Sequence, residues 1–426
     1  MMENGRHQER SAISDKLFIG ARLDFSAGSV KKNGGKMRKG VNKLCSKDIF
    51  FMPLGGGQQV GASCYFLRLG ETNILLDAGI GKDGDLSFMP DEYALTTLPF
   101  IQSMGQIHQI YISHAHMDHL GYLFPLMKEC KNAEVLMTQE TATLAEYQLC
   151  DKQFLGENPL QNDESACLAA KSLLDQTRKV PFMQKIDFGP FQVQFFPAGH
   201  IPGAMMILFE FAGKKILYTG DFSVNKTALT GSCILPKSSV DVMIMCALHA
   251  KHPWYQKSCN QLEKAVQKAL YTARDSPIWC YVPQLSKGIE FLKCLNQKNT
   301  RKIPVYLDWS ILQMVKRMEE LGVPILTQEN KMAVQSSYKD KGIYLTADPS
   351  KMPDNQFCKM KVDFSLHESF AEMEQLIEQV NPKQVVAVHC APEKAPNDGT
   401  IEQIMIRKAS SRTQFVFAEN GSIYKI

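Results

Sequence analysis

The stretch Gln109-Ile-Tyr-Ile-Ser-His-Ala-His-Met-Asp-His119 is the most informative part of this chain. It begins with a short apolar run of β-forming residues and ends in three histidines and one aspartate. Side chains two apart share one side of an extended loop, so His114 and His116 can bind one metal ion while Asp118 and His119 face a second. The stretch therefore predicts a strand that ends in a two-metal site.

A structural role is the alternative for this cluster. A single histidine at such a position is more often a hydrogen-bonded structural residue than a metal ligand. Four ionisable groups so close together are costly to bury, however, unless a cation compensates them. The density of the cluster therefore favours metal binding.

Composition limits the classes of protein that fit. The chain has 426 residues, 44% of them hydrophobic, which is enough for two domains and a substantial core. No apolar run approaches the roughly 18 residues of a membrane span. The net charge of +4 is too small over this length to indicate a nucleic-acid partner by itself. A globular protein that does not cross a membrane is expected.

Residues 1–47 are predicted to form a flexible basic arm. Seven basic residues and no acidic ones lie between Ser26 and Lys47, where Gly and Asn disfavour a helix. Two interpretations remain open, a solvated leader and an arm that contacts phosphates.

The cysteines indicate a reducing compartment. Twelve are scattered along the chain without a C-x-x-C pair or the short spacing of a zinc ribbon. Free, buried thiols are the simplest account of this pattern, and a cytoplasmic location follows from it.

Strand and helix patterns divide the rest of the chain into an α/β sandwich and an insertion. Residues 48–240 contain mostly short strands separated by turn residues, and residues 362–426 return to that pattern. Between them, residues 241–361 alternate strands and helices in the βαβ order of a parallel sheet. An α/β fold with an inserted second domain is predicted.

Further candidate ligands follow predicted strands. Asp77, His200 and Asp221 each close a short apolar segment, and His389 follows another. Side chains at strand ends commonly line clefts at a sheet edge. Each one is a weak signal alone, but the set agrees with the histidine cluster.

Together these positions resemble the five motifs of the metallo-β-lactamase superfamily. In addition, Asp363-Phe-Ser-Leu-His367 is similar to the F-S-x-H element of the β-CASP branch, the nucleic-acid-processing hydrolases related to ribonuclease J and the cleavage and polyadenylation nuclease. The resemblance implies an αββα metallo-β-lactamase sandwich with an inserted, shortened βαβ (β-CASP) domain.

The resemblance also implies roles for the matching residues. One Zn²⁺ would be held by three histidines, a second Zn²⁺ by an aspartate and two histidines, and both would share a bridging aspartate. In that order the residues are His114, His116 and His200; Asp118, His119 and His389; and Asp221. Asp77 would accept a hydrogen bond from a ligand imidazole. Asp118 and His367 would be the catalytic residues, with His367 protonating the leaving oxygen.

Three positions bear on how the site would work. Cys246 stands where the family has an acidic residue that steadies the histidine matching His367, so a neutral thiol would replace a carboxylate there. Lys287 replaces an arginine, and Lys287 and Ser365 are the expected substrate-binding residues.

The pattern as a whole predicts a zinc-dependent phosphodiesterase with two Zn²⁺, with RNA as the expected substrate, although nothing in the sequence itself separates RNA from DNA. Two alternatives stay open. One is a small-molecule metallo-hydrolase, and the other is a nucleic-acid-binding protein whose catalysis is reduced by Cys246. A homodimer is also compatible with the sequence.

Overall fold

The computed structural model of the chain describes residues 46–83, 86–150, 164–250, 259–282, 285–334, 340–353, 357–390 and 413–426. The predicted basic arm lies outside these ranges except for its last two residues.

Seven described strands form the first sheet, in the spatial order β21-β1-β2-β3-β6-β7-β8. Numbered in chain order, they are β1 (Ile49–Gly55), β2 (Cys64–Leu69), β3 (Thr72–Leu76), β6 (Gln109–Tyr111), β7 (Glu134–Met137), β8 (Arg178–Lys179) and β21 (Tyr424–Lys425). The first three strands pair antiparallel, whereas β3, β6, β7 and β8 pair in parallel.

Seven described strands also form the second sheet, in the order β20-β19-β13-β12-β11-β10-β9. They are β9 (Lys185–Asp187), β10 (Gln192–Pro197), β11 (Met205–Phe211), β12 (Lys214–Tyr218), β13 (Val242–Cys246), β19 (Gln384–Val388) and β20 (Gln414–Phe417). Strands β9 to β12 form an antiparallel meander, and β12, β13, β19 and β20 are parallel.

A third sheet of five described strands, all parallel, has the order β16-β15-β17-β14-β18. Its strands are β14 (Ile278–Tyr281), β15 (Val305–Leu307), β16 (Asn330–Met332), β17 (Ile343–Thr346) and β18 (Cys358–Lys361). A small separate pair consists of β4 (Gly81–Asp83) and β5 (Leu86–Phe88).

The described residues contain nine α-helices and two short 3-10 helices, Met104–Gln106 and Pro349–Lys351. The α-helices are α1 (Tyr93–Thr96), α2 (Met117–Leu120), α3 (Leu123–Glu129), α4 (Gln139–Cys150), α5 (Glu164–Gln176), α6 (Cys259–Thr272), α7 (Leu285–Lys298), α8 (Trp309–Glu320) and α9 (Phe370–Val380). None of the helices in the described ranges combines the length and the apolar composition that crossing a bilayer requires.

The two large sheets pack face to face, with helices on their outer faces. Strand β1 is buried on both sides, and its alternate residues belong to different apolar clusters. Phe51 shares a cluster with residues of the second sheet, whereas Phe50 shares one with Leu126 of α3. Tyr111 of the first sheet meets Phe209 of the second edge-on, with ring centroids 5.3 Å apart. The predicted α/β sandwich with a parallel insertion is confirmed.

One predicted boundary is wrong. The sequence pattern assigned residues from 241 onward to the insertion, but β13 pairs with β12 and β19 inside the second large sheet. Its apolar sequence, Val-Met-Ile-Met-Cys, is typical of any buried parallel strand, so its composition could not reveal which sheet it joins. The third sheet begins only at Ile278.

The sheet topology gathers the candidate site at one edge. Strands β3 and β6 are parallel, so Asp77 and the histidine cluster follow strand ends that lie together. In the second sheet, Asp221 follows β12, Cys246 ends β13 and His389 follows β19, and these three strands are parallel neighbours. Strand β10 has the same direction, because two antiparallel pairings relate it to β12, and His200 comes after it. Carboxyl ends of parallel strands form the usual site edge of such sheets.

Backbone hydrogen bonds fix the loop that carries Asp118 and His119. In the loop after β3, the amide of Ala78 donates to the carbonyl of His119 at 2.8 Å. Just before β2, the amide of Ser63 donates to the carbonyl of Asp118 at 2.9 Å. Gly79 lies between these contacts, and a Cβ atom there would be 1.7 Å from the Asp118 carbonyl oxygen. The close approach of the two loops therefore requires glycine at this position.

Replacing Gly79 with alanine should destabilise the fold. The added methyl must displace the Asp118 backbone, and we expect a loss of roughly 3 kcal/mol in the free energy of unfolding, the upper end for overpacking. Urea denaturation measures it. Gly231→Ala is the matched control, because a Cβ atom at Gly231 has nothing within 4 Å. Equal midpoints for the two variants would contradict the close approach.

Candidate metal centre

Three histidines and one aspartate surround a first common point. His114 Nε2 and His200 Nε2 lie 3.1 Å and 3.2 Å from His116 Nδ1. Asp221 Oδ2 lies 3.6 Å from His114 Nε2 and 3.7 Å from His200 Nε2. Four ligands at zinc bond lengths in a tetrahedron would be about 3.4 Å apart, so these spacings fit one metal ion.

A second group shares the same aspartate. Asp221 Oδ1 lies 3.3 Å from His119 Nε2, and His389 Nε2 lies 3.7 Å from Asp118 Oδ2. The ligand atoms of Asp118, His119 and His389 all lie within 4.8 Å of one another. Because one oxygen of Asp221 faces each group, its carboxylate is placed to bridge two ions.

Each of these five histidines uses its other ring nitrogen for a contact outside the centre. The partners are Ser113 Oγ for His114 (3.0 Å), Ser286 Oγ for His116 (2.9 Å), Asp77 Oδ2 for His119 (2.7 Å), the Leu366 carbonyl for His200 (2.8 Å) and Ser63 Oγ for His389 (2.9 Å). Such outer contacts fix which nitrogen carries the proton and how the ring is turned. In a neutral ring held in this way, the inward nitrogen carries the lone pair that binds a metal.

Asp77 is the most connected of the outer residues. Fully buried, it accepts hydrogen bonds from the Ser113 amide and hydroxyl at 2.6 Å and 2.8 Å, and others from Tyr218 and His119. Its φ is +62°, and that of His389 is +53°. Residues other than glycine rarely adopt this left-handed conformation, and where they do it often marks a functional site.

Most of the histidines are held neutral. Burial lowers the pKa of four of them, and the pKa of His116 is lowered to about 4. The four are His114, His116, His200 and His389. Neutral imidazole is the form that binds metal, so these rings need lose no proton to do so.

His119 differs from the other four. Burial acts to lower its pKa, but the carboxylates of Asp221, Asp77 and Asp118 outweigh burial and raise it well above the ordinary value. Burial likewise acts to raise the pKa of Asp221, but His119 and His367 outweigh it and hold the carboxyl ionised. The surrounding carboxylates therefore favour the charged form of His119.

The donor set fits two cations. Asp221 Oδ2 and His389 Nε2 are buried and have no hydrogen-bond partner among the described residues. Buried polar atoms are nearly always satisfied, so both atoms call for a partner of another kind. Imidazole nitrogens with carboxylate oxygens are the ligands that zinc prefers.

The structure brings His367 to the same centre. Its Nδ1 lies 3.1 Å from Asp221 Oδ2, and its side chain is 20% exposed. Ser365 is buried, and its hydroxyl accepts the amide hydrogen of His367 at 3.1 Å, so it shapes this loop. The Lys287 ammonium lies 5.9 Å from the ring centroid of Phe364 in the same segment.

Cys246 contacts a different residue from the one expected. Its thiol donates to Asp221 Oδ1 at 2.9 Å, whereas the carboxylate beside His367 is that of Asp221 itself. The sequence pattern also missed Glu368, which is fully buried and accepts the Leu248 amide at 3.0 Å. Burial and the charge of Asp221 raise the pKa of Glu368 well above its ordinary value.

The outer partners of the histidines were also missed, with the exception of Asp77. Ser113 directly precedes the first histidine, and its position was a usable signal. Ser63 is 326 residues from His389, and Ser286 is 170 residues from His116, so no local pattern connects them.

Comparison with known families agrees with this geometry. Residues 57–261 match the model of the metallo-beta-lactamase superfamily. The resemblance that the sequence motifs indicated is thereby confirmed.

Several curated relatives carry ribonuclease or RNA-processing names. The chain is 28% identical over 268 residues to cleavage and polyadenylation specificity factor 73 of Drosophila melanogaster, 27% over 274 residues to "Probable RNase MJ4" of Methanocaldococcus jannaschii, and 30% over 207 residues to "Endoribonuclease ysh-1" of Neurospora crassa. The matches cover 60%, 62% and 46% of this chain and 37%, 60% and 23% of those proteins. The chain thus spans less than two thirds of the length of each of these relatives.

A solved structure shares the fold. A protein of unknown function from Enterococcus faecalis V583 superimposes with a TM-score of 0.61 at 14% identity, covering 89% of this chain and all of that one.

Proton release on metal binding tests the charge states. With the pKa of His119 raised and those of the other four lowered, only His119 should carry a second ring proton at pH 6, so two metals should displace about one proton. Five ordinary imidazoles would release about four. Calorimetry in buffers of different ionisation enthalpy counts these protons, and a count near four would refute the assignment.

Cys246→Glu should destabilise the protein. It would place a carboxylate against Asp221 and beside Glu368, and we expect a loss of about 3 kcal/mol or more, the range for an uncompensated buried charge. Denaturant unfolding measures this loss of stability, after a chelator has removed metal from the protein. Cys246→Ser is the control, because a serine hydroxyl can still donate a hydrogen bond to Asp221. Adding Glu368→Leu should restore part of the loss. Stability equal to wild type would mean that these carboxylates do not crowd residue 246.

Proposed function

Because residues 57–261 match the model of the metallo-beta-lactamase superfamily, we propose that this chain is a zinc-dependent phosphodiesterase that hydrolyses RNA. The ribonuclease names of its relatives support the reaction and the substrate. The inserted parallel sheet and the Phe364-to-His367 element that follows it support the β-CASP branch. The observation that carries the proposal is the position of His367, whose Nδ1 lies 3.1 Å from Oδ2 of Asp221.

Two zinc ions form the proposed cofactor. His114, His116 and His200 would hold one, and Asp118, His119 and His389 the other, with Asp221 shared between them. When bound, zinc lowers the pKa of an attacking water and stabilises the negative charge that develops at phosphorus. Asp77 would keep His119 oriented through its 2.7 Å contact with Nδ1.

Exposure separates the residues that a substrate can reach from those that only bind metal. The other residues of the two groups are at most 8% exposed, but the Asp118 side chain is 31% exposed and that of His367 is 20% exposed. We therefore assign the scissile phosphate to the space between Asp118 and His367. His367 would protonate the leaving oxygen, since an imidazole gains and loses protons near neutral pH.

Two further residues are proposed to act on the substrate side. The Lys287 ammonium, near Phe364, would meet a phosphate as a point charge. Ser365 would act indirectly, because its hydroxyl holds the His367 amide. Eight cysteines, those in the described ranges whose side chains can be placed, are free thiols, which supports the further proposal of a reducing, cytoplasmic location.

Cleavage of end-labelled nucleic acids tests the function. Zinc-loaded protein is incubated with RNA and DNA of the same sequence, labelled at either end, and product lengths are read from both. We expect RNA to be cut and DNA to be cut more slowly or not at all. Tight RNA binding without cleavage would favour the binding-protein alternative, and hydrolysis of small esters only would favour a small-molecule hydrolase.

Two substitutions separate the acid from the ligands. His367→Ala should keep both metals and lose about 10²–10⁴-fold in turnover, the usual contribution of a positioned acid. Asp221→Ala should lose metal together with activity. His108→Ala is the control, because His108 is an exposed histidine outside the cluster. Unchanged turnover in His367→Ala would remove this residue from the mechanism, and parallel loss of metal would make it a ligand instead.

A further inference from the structure

A serine from the inserted region reaches the metal centre. Ser286 lies in the first turn of α7, the helix that follows β14 of the third sheet. Its hydroxyl is 2.9 Å from His116 Nε2, and its side chain is buried. The contact joins residues 170 positions apart.

The direction of this hydrogen bond follows from the other side of the ring. His116 Nδ1 is the nitrogen that faces His114 and His200, at 3.1 Å and 3.2 Å, so Nδ1 must carry the lone pair that binds metal. The proton then resides on Nε2, which donates to the Ser286 oxygen. Without this acceptor the proton could move to Nδ1, and His116 would no longer be ready to bind.

The two metal groups depend on different parts of the chain. His119 and His389 are oriented by Asp77 and Ser63, which belong to the sandwich. His116 is oriented by Ser286 of the insertion. His200 is oriented by a carbonyl five residues beyond β18, the insertion's last strand. Two of the three histidines of the first group therefore rely on contacts at or after the insertion.

We propose that Ser286 is a positioning residue that keeps the ring proton of His116 on Nε2. The zinc affinity of the first group, which consists of His114, His116, His200 and Asp221, then depends on how the inserted sheet packs against the sandwich. Outer contacts of this kind typically change metal affinity by about 10–100-fold. The inference rests on the metal centre that the proposed function requires, but not on the identity of the substrate.

Metal affinity in the full chain provides the test. Zinc binding to wild type and to Ser286→Ala is measured by competition with a chromophoric chelator, in the absence of nucleic acid. We expect wild type to bind two ions, and Ser286→Ala to bind one of them normally and the other about 10–100-fold more weakly. Ser286→Thr keeps the hydroxyl and should recover most of the affinity, which a purely steric role would not predict.

Two more variants keep the test decisive. Ser286→Gly removes the same hydroxyl without leaving a methyl group beside His116, and it must show the same loss if Ser286→Ala folds poorly. Ser310→Ala is the matched control, because Ser310 is also buried in the insertion but donates to Asp308 at 2.8 Å. Wild-type affinity for both ions in Ser286→Ala and Ser286→Gly would overturn the positioning role and leave the proposed nuclease intact. Failure of wild type to bind zinc would overturn both.

Discussion

The burial of Asp221 among imidazoles is the constraint on which this structure depends. Its carboxylate is 1% exposed, and its oxygens lie within 3.8 Å of four histidine rings. Burying an ion costs several kcal/mol even after relaxation, so such an arrangement persists only where charge is compensated nearby. His119, whose pKa its carboxylate neighbours raise, can supply part of that compensation as a cation, and two divalent cations would supply the rest. The cleft is thus built for positive charge before any substrate is considered.

The topology of the sheets explains how so many ligands meet. Neighbouring parallel strands bring their carboxyl ends to one edge, and Asp77, Asp221 and His389 each follow such an end. The chain turns sharply there, and both Asp77 and His389 adopt a left-handed backbone conformation. Asp77 accepts hydrogen bonds from Ser113 and Tyr218, and these bonds fix its position. They can therefore stabilise its strained left-handed backbone conformation.

The inner half of the centre was predictable from sequence, and the outer half was not. The spacing of the histidine cluster is local, and the resemblance to the family motifs pointed to Asp77 and His389, so these residues could be named as candidates. The partners of these ligands depend on tertiary contacts. Ser63 and Ser286 are ordinary serines in sequence, and only folding brings them to His389 and His116.

Strand β13 was assigned to the wrong sheet for a related reason. The apolar sequence of a buried strand does not indicate which sheet the strand joins. Cys246 was aligned to a family position, but its thiol faces Asp221, and the buried Glu368 lies near the same strand end.

The two metal groups are chemically unequal, and the inequality follows from the fold. The first group consists of neutral imidazoles whose low pKa values come from burial, so protons compete little with a metal there. The second contains His119, whose pKa is raised by its carboxylate neighbours, and Asp118, whose side chain is 31% exposed. A metal there would have to displace a proton and would lie nearer to solvent. An ion in the first group would be held by burial and by the contacts of the insertion. An ion in the second would exchange more readily and would lie beside the space that we propose for the phosphate. In this arrangement the sandwich supplies most of the ligands, while the insertion governs the orientation of the deeper group.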